Sequence, residues 1–96
     1  MQRIPTFTTI VYGEGMDTVV MNAIAIQNAF GLTHIVPEWD GTAQTMEKGA
    51  LHLIRDEPNR TREEMEAEVG YPLRVIPTAT AREMVLIDGK EWKEAP

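Results

Sequence analysis

The chain has 96 residues, of which 43% are hydrophobic and 25% charged, a composition typical of one folded domain and not of a disordered chain. It contains no cysteine, which excludes disulfides and thiolate metal sites. Fifteen acidic and nine basic residues give a formal net charge of −6, which disfavours direct binding to the phosphate backbone of nucleic acids, since that binding needs clustered lysine and arginine.

The same composition bears on location and on partners. No long apolar run follows a basic start at the N-terminus, as a signal peptide would require, and the longest nearly apolar stretch, 19–30, is too short to span a bilayer. We therefore expect a cytoplasmic protein that does not bind a membrane. The acidic balance fits either a surface that keeps the protein soluble or a protein partner whose own surface is basic.

The segment 6–36 has the pattern of a β-α-β unit. A β-type run at 6–12 stops at a glycine-rich turn, a nearly apolar helical segment follows at 16–30, and Gly31 precedes a second β-type run at 33–36. Such a unit usually makes two parallel strands with a right-handed crossover. Apolar residues cover more than half of the helix circumference. We therefore expect this helix to be the largest apolar contributor to the core, with Val20 and Ile24 buried.

The remaining face of this helix is small and weakly polar, and consists of Thr18, Asn22, Ala25 and Ala29. No charged residue occurs between Thr18 and Phe30. A helix without a charged face is buried on two sides, and a domain of this size rarely supplies both. The sequence therefore predicts a homo-oligomer with these four residues in its interface.

The second half of the chain predicts another β-α-β unit and then a hairpin. Further β-type runs occur at 50–54, 73–76 and 84–87. Thr61 followed by Glu64 forms a capping box that begins a short surface helix, and Gly70 ends it. The dipeptide Asp88-Gly89 is a hairpin signal between the last run and residues 90–92, so we expect a terminal hairpin there.

Two segments are less regular. Asp40-Gly41 reads as a tight turn of hairpin type, and 42–48 suits either a short helix or an irregular strand. Residues 93–96 are expected to fray. The prediction for 1–96 is a single α/β domain, a small mixed and partly parallel sheet of about four to five strands with two helices and an antiparallel edge.

The loop Gly13-Glu14-Gly15 is the candidate ligand-binding site, because glycines between a strand and a helix let the backbone approach a ligand. It lacks the Lys-Ser/Thr pair of a P-loop, and Thr18 stands where a dinucleotide fingerprint has its third glycine. Glu14 and Asp17 place two negative charges at its mouth, so we expect any ligand to be neutral, zwitterionic or bridged by a metal. The alternative is a tight structural turn.

Other chemistry-bearing residues are few. Glu14 and Asp17 could share a divalent cation with Asp56, which follows a later strand. His34 and His52 lack the spacing of a catalytic triad or of a zinc protease motif. We expect both to be strand histidines satisfied by neighbouring groups.

Three functions follow from these patterns, and for the one we favour we expect no cofactor. We favour a non-enzymatic small acidic interaction or regulatory protein that self-associates and binds a protein partner, by analogy of size and charge an inhibitor or decoy of phage or mobile-element type. The second is a small-ligand or nucleotide-binding domain that uses Gly13, Glu14, Gly15 and Asp17. The third, a metal-dependent enzyme, ranks last because no nucleophile–base pair and no intact ligand set is present.

Overall fold

The computed structural model describes residues 7–94, which contain four strands and four α-helices. The elements are β1 (Thr8–Tyr12), α1 (Met16–Met21), α2 (Ala23–Phe30), β2 (His34–Val36), a 3₁₀ turn (Ala43–Thr45), β3 (Ala50–Ile54), α3 (Arg62–Val69), β4 (Leu73–Pro77) and α4 (Thr78–Ile87). The α/β class predicted from the sequence is confirmed. Thr6, the first residue of the first β-type run, lies outside the described residues.

The four strands are all parallel, in the order β2-β3-β1-β4. β1 is central, since Ile10 is opposite His52 of β3 on one side and Val75 of β4 on the other. α1 and α2 lead from β1 over β3 to β2, and α3 leads from β3 to β4 on the far side of β1. The two β-α-β units therefore share the central part of the sheet.

Successive side chains of a strand point to opposite faces of the sheet. The structure accordingly has two cores, one on each face. Val11 faces the first core, which also contains buried residues of α1, α2 and α4: Met16, Val19, Ala23, Ile26, Phe30, Ala81 and Val85. Ile10 faces the second core, with Trp39, Met65 of α3 and Leu73. Three helices thus cover one face, while α3 and the segment that carries Trp39 cover the other.

The helical segment predicted at 16–30 is present, but it is broken at Asn22, whose φ of −108° and ψ of 13° are not helical. The buried side of the 16–30 segment consists of the residues of α1 and α2 that contribute to the first core. Val20 and Ile24 are exposed, so the prediction that they are buried is wrong. The sheet covers one side of the segment and α4 a second, and these two side chains point away from both.

The capping box predicted for the third helix is confirmed. Thr61 Oγ1 accepts a hydrogen bond from the Glu64 N–H at 3.1 Å, and Glu64 Oε1 accepts from the Thr61 N–H at 3.0 Å. Gly70, in the left-handed conformation with φ 81°, ends the helix as expected. The local sequence signal is sufficient here because all of its partners lie within one turn.

The predicted terminal hairpin is wrong, because the segment 84–87 is the last part of α4. Four apolar residues in a row fit a helix as well as a strand. Ala81 and Val85, four residues apart, are both fully buried in the first core, which is helical spacing. Consequently the sheet has no antiparallel strand among residues 7–94, and the helices number four instead of two.

Both outer strands of the sheet have few free backbone groups that could form hydrogen bonds with a further strand. β2 has only three residues. On β4 the Leu73 N–H is already bonded to Glu66 Oε2 at 2.7 Å, and Pro77 has no N–H to donate. Short edges and edges with proline resist strand addition. Separately, no helix of the described part of the chain has both the length and the apolarity to span a bilayer.

Candidate functional site

The carboxyl ends of β1 and β3 form a topological switch point. These strands are neighbours, yet the chain continues from β1 into α1 on one face and from β3 into α3 on the other. In open α/β sheets, ligands bind in the crevice at such a point. The Gly13 N–H donates to the Arg55 carbonyl at 3.2 Å, so the loops that follow the two strands are joined at this edge of the sheet.

The Gly13-Glu14-Gly15 loop lies between β1 and α1, where the sequence placed it. Gly13 and Gly15 have φ values of 124° and 76°, a region that L side chains rarely adopt. The Gly15 carbonyl accepts from the N–H groups of Thr18 and Val19, and the Glu14 carbonyl accepts from Thr78 Oγ1 at 2.9 Å. The backbone of the loop is therefore tied to both α1 and α4, as in a tight strand-to-helix turn.

The acidic side chains of this region do not converge. Asp17 Oδ1 accepts from Arg55 Nη2 at 2.9 Å, with the two side chains 82% and 70% exposed, a pair that contributes roughly 0–1 kcal/mol to stability. Among residues 7–94 no three histidine or carboxylate side chains are placed to hold a metal. The candidate set of Glu14, Asp17 and Asp56 is thus not assembled.

A second feature of this edge was not identified from the sequence. A cavity of about 440 Å³ lies between the segment around Asp40 and the loop after β3, lined in part by Asp56, Glu57 and Arg60. Asp40 Oδ1 accepts from the hydroxyls of Thr45 and Thr42 and from the Thr42 N–H. These hydrogen bonds lower the pKa of Asp40, and the bond from Thr45 has the largest effect. The Asp-x-Thr-x-x-Thr spacing was the available signal.

Asp40-Gly41 precedes the 3₁₀ turn (Ala43–Thr45) within the parallel connection from β2 to β3, and the hairpin-type turn predicted there is wrong. The ambiguous segment 42–48 contains this short turn and no strand.

Both histidines are bonded to neighbouring groups, as expected. His52 is fully buried, its Nδ1 lies 3.2 Å from the Thr9 carbonyl, and its Nε2 accepts from the Glu47 N–H at 2.9 Å. Burial lowers its pKa, so the ring is neutral near pH 7. His34 is partly exposed, and its Nε2 lies 3.0 Å from Glu47 Oε1.

The four residues expected in an oligomer interface lie on the side of α1 and α2 that is next to α4. Asn22 is only 3% exposed, and its side chain is bonded to the backbone of Lys93. Ala25 and Ala29 are partly buried against the first core, which includes residues of α4. Thr18 is partly buried beside the C-terminal segment. The chain itself thus covers much of this face.

A different part of the same helical segment is open. Val20 and Met21 at the end of α1 and Ile24 near the start of α2 are 48%, 49% and 69% exposed, and they lie on either side of the break at Asn22. A cavity of about 360 Å³ adjoins Val20 and is lined on its apolar side by Met16, Pro37, Trp39, Leu53 and Ile54. We call Val20, Met21 and Ile24 the apolar ledge.

Comparison of the chain with models of protein families, with characterised proteins and with solved structures finds no significant match.

Proposed function

We propose that this protein is a non-enzymatic interaction protein of the cytoplasm that self-associates through the apolar ledge. The observation that supports the proposal is the exposure of three large apolar side chains, of which Val20 adjoins a cavity whose lining is mostly apolar but includes Glu38 and Arg55. Grouped apolar side chains at a surface are typical of interaction sites. The chain also contains neither serine nor cysteine, the nucleophiles of most covalent hydrolases.

The partner that best fits the ledge is a second copy of the chain. Each copy carries a formal charge of −6, so like-charge repulsion opposes most contacts between copies. The ledge is an exception, because no charged residue occurs between Asp17 and Gly31. In a two-fold arrangement, Ile24 of each copy would enter the cavity beside Val20 of the other, a self-complementary contact. The blocked outer strands disfavour association by strand addition.

Light scattering at high protein concentration tests this proposal with a matched pair of variants. The wild type is expected to be a dimer, and Ile24→Glu to be a monomer with an unchanged circular dichroism spectrum. Gln44→Glu adds the same charge at an exposed position of the 3₁₀ turn and should leave the dimer intact. A monomeric wild type, or an Ile24→Glu variant that remains dimeric, contradicts the proposal.

A regulatory role of the inhibitor or decoy type requires a protein partner. We propose that this partner has a basic surface. Net charge supports it, together with the exposed Glu63 and Glu64 in the first turn of α3. Because both carboxylates are exposed, binding through them should weaken steeply as salt is added. A partner that binds equally well in high salt would argue against this surface.

The switch point supports a second candidate function, the binding of a small ligand by Gly13, Glu14, Gly15 and Asp17. The observation that favours it is that the chain continues to opposite faces of the sheet after the neighbouring strands β1 and β3. Titration with Mg²⁺-ADP, in which a cation bridges the phosphates, tests it by thermal shift. Binding that Glu14→Ala removes and the exposed control Glu83→Ala retains supports a ligand site. An unchanged melting temperature in the wild type contradicts a nucleotide site.

A further inference from the structure

A cavity of about 460 Å³ lies beside β4, an outer strand of the sheet. In the described part of the chain its lining consists of Phe7, Arg62, Leu73, Arg74 and Val75. Because side chains alternate along a strand, Arg74 lies on the side of the first core, while Leu73 and Val75 lie on the side of the second. The cavity therefore follows the outer edge of β4 and combines apolar walls with two guanidinium groups.

Arg74 differs from the other arginines of residues 7–94 in having no ion pair within that range. The four others are paired with carboxylates, Arg55 with Asp17, Arg60 with Glu68, Arg62 with Glu63 and Arg82 with Glu94. Residues 1–6, which precede Phe7 in the chain, contain no aspartate or glutamate. In a chain with fifteen acidic and nine basic residues, the charge of Arg74 is thus available to an anion from outside.

Two aromatic rings hold the Arg74 guanidinium in place. Its central carbon lies 4.6 Å from the centroid of the Phe30 ring and 5.5 Å from that of the Phe7 ring, distances at which a ring attracts a cation. Phe30 is buried in the first core, and the Phe7 carbonyl accepts from Thr9 Oγ1 at 2.8 Å. The guanidinium is therefore positioned before any ligand binds, which reduces the entropy cost of binding.

We propose that this cavity binds a small organic monocarboxylate with an apolar body. The N–H donors of a guanidinium match the two oxygens of a carboxylate, so Arg74 binds the charged end of the ligand. Phe7, Leu73 and Val75 contact its apolar body. A volume of about 460 Å³ is within the range of small-molecule sites.

The acidic groups beside the cavity favour a ligand with a single negative charge. Glu63 Oε1 lies 3.1 Å from Arg62 Nη2, and Glu66 Oε2 accepts from the Leu73 N–H at 2.7 Å. These carboxylates, together with the net charge of −6, repel a dianion such as a phosphate monoester more strongly than a monoanion. In the described residues the lining shares no member with the apolar ledge, so the site does not depend on self-association.

Titration of the full chain with phenylacetate, followed through the backbone amide signals of β4 in NMR spectra, tests the proposal. We expect saturable shifts at Leu73, Arg74 and Val75, and none with phenylacetamide, which has the same apolar body without the charge. Arg74→Gln should weaken binding by about tenfold or more, since it removes a charge-assisted pair of hydrogen bonds. Arg82→Gln, at an exposed position of α4, should bind as the wild type does.

A circular dichroism melt shows whether each variant is folded, and the comparison of acid with amide on the wild type needs no variant. The proposal is overturned if millimolar phenylacetate causes no saturable shift in the wild type, or if the amide binds as well as the acid. It is also overturned if folded Arg74→Gln binds the acid as tightly as the wild type, or if Arg82→Gln weakens binding equally.

Discussion

His52 of β3 accepts a hydrogen bond from the backbone N–H of Glu47, which lies 2.9 Å from its Nε2. Because Nε2 accepts, the ring proton is on Nδ1, which donates to the Thr9 carbonyl of β1 at 3.2 Å. The Trp39 ring packs edge-on against the imidazole, with centroids 5.3 Å apart. The buried imidazole thus joins β1, β3 and the preceding loop, and it does so only in its neutral form.

This arrangement predicts that acid destabilises the fold through His52. Burial lowers the pKa of His52 below its ordinary value of 6.5, so the unfolded chain binds more protons than the folded one between these two pKa values. The stabilisation is fully present above pH 6.5 and is lost as the pH falls through the folded-state pKa. Urea midpoints measured from pH 8 to pH 5.5 should be constant at first and then decrease.

Two variants separate His52 from other titrating groups. His52→Gln keeps one donor and one acceptor without a titrating ring, so its midpoint should change less with pH than that of the wild type. His34→Gln, at the partly exposed histidine, should retain the wild-type decrease. Equal pH dependence in wild type and His52→Gln would exclude His52 as the cause.

Ile24 and Ile26 lie on opposite sides of α2, one exposed and one buried, and substitutions at the two positions should therefore have opposite outcomes. Ile26 is fully buried in the first core, so Ile26→Asp should prevent folding, since an unpaired buried carboxylate costs several kcal/mol. Ile24 is exposed, and Ile24→Asp should change the free energy of unfolding by less than about 1 kcal/mol. Thermal melts of dilute protein, followed by circular dichroism, compare the two. Unfolding of Ile24→Asp would show that the ledge is part of the core.

The left-handed conformation of Gly15 predicts a cost for any side chain there. A Cβ at this position meets nothing within 4 Å, so the effect of Gly15→Ala is backbone strain alone, about 1–2 kcal/mol. Gly15→Asn should cost less, because asparagine tolerates this region better. Glu14→Ala should leave stability unchanged. Chemical denaturation provides all three values, and a neutral Gly15→Ala would contradict the assigned φ.

The capping box predicts a loss of about 1 kcal/mol for Thr61→Ala. Thr61→Ser keeps the hydroxyl that accepts from the Glu64 N–H and should be close to wild type. Urea denaturation measures both. Equal stability of the alanine and serine variants would mean that α3 does not depend on its cap.

Local signals predicted most elements but failed at the segment 84–87. Glycines in positive-φ turns and the cap at Thr61 act within a few residues, so they can be read from the sequence. Whether Val85 belongs to a helix or a strand is decided by what it packs against, and Ala81 is its neighbour only in a helix. Because the local pattern does not reveal α4, it offers no partner within the chain for the face containing Asn22, and so it predicts that a second copy covers this face.

The candidate site shows the same division. The position of the Gly13-Glu14-Gly15 loop between a strand and a helix follows from the local sequence. The contact of Asp17 with Arg55, and the bonds that hold His52, depend on β3 lying next to β1. That order is set by the tertiary packing of both cores, which no local pattern encodes.

The central position of β1 also determines when the protein can fold during synthesis. β1 is synthesised before β2, β3 and β4, but Thr8 is paired with Leu73 of β4, so one edge of β1 stays open until β4 has been made. Parallel pairing between distant segments is slow, and an unpaired apolar strand is prone to aggregate. A chain that stops after β3 could still pair β2, β3 and β1, but it would lack β4 at the second edge of β1 and the helices α3 and α4, so premature termination should yield a product that is prone to aggregate.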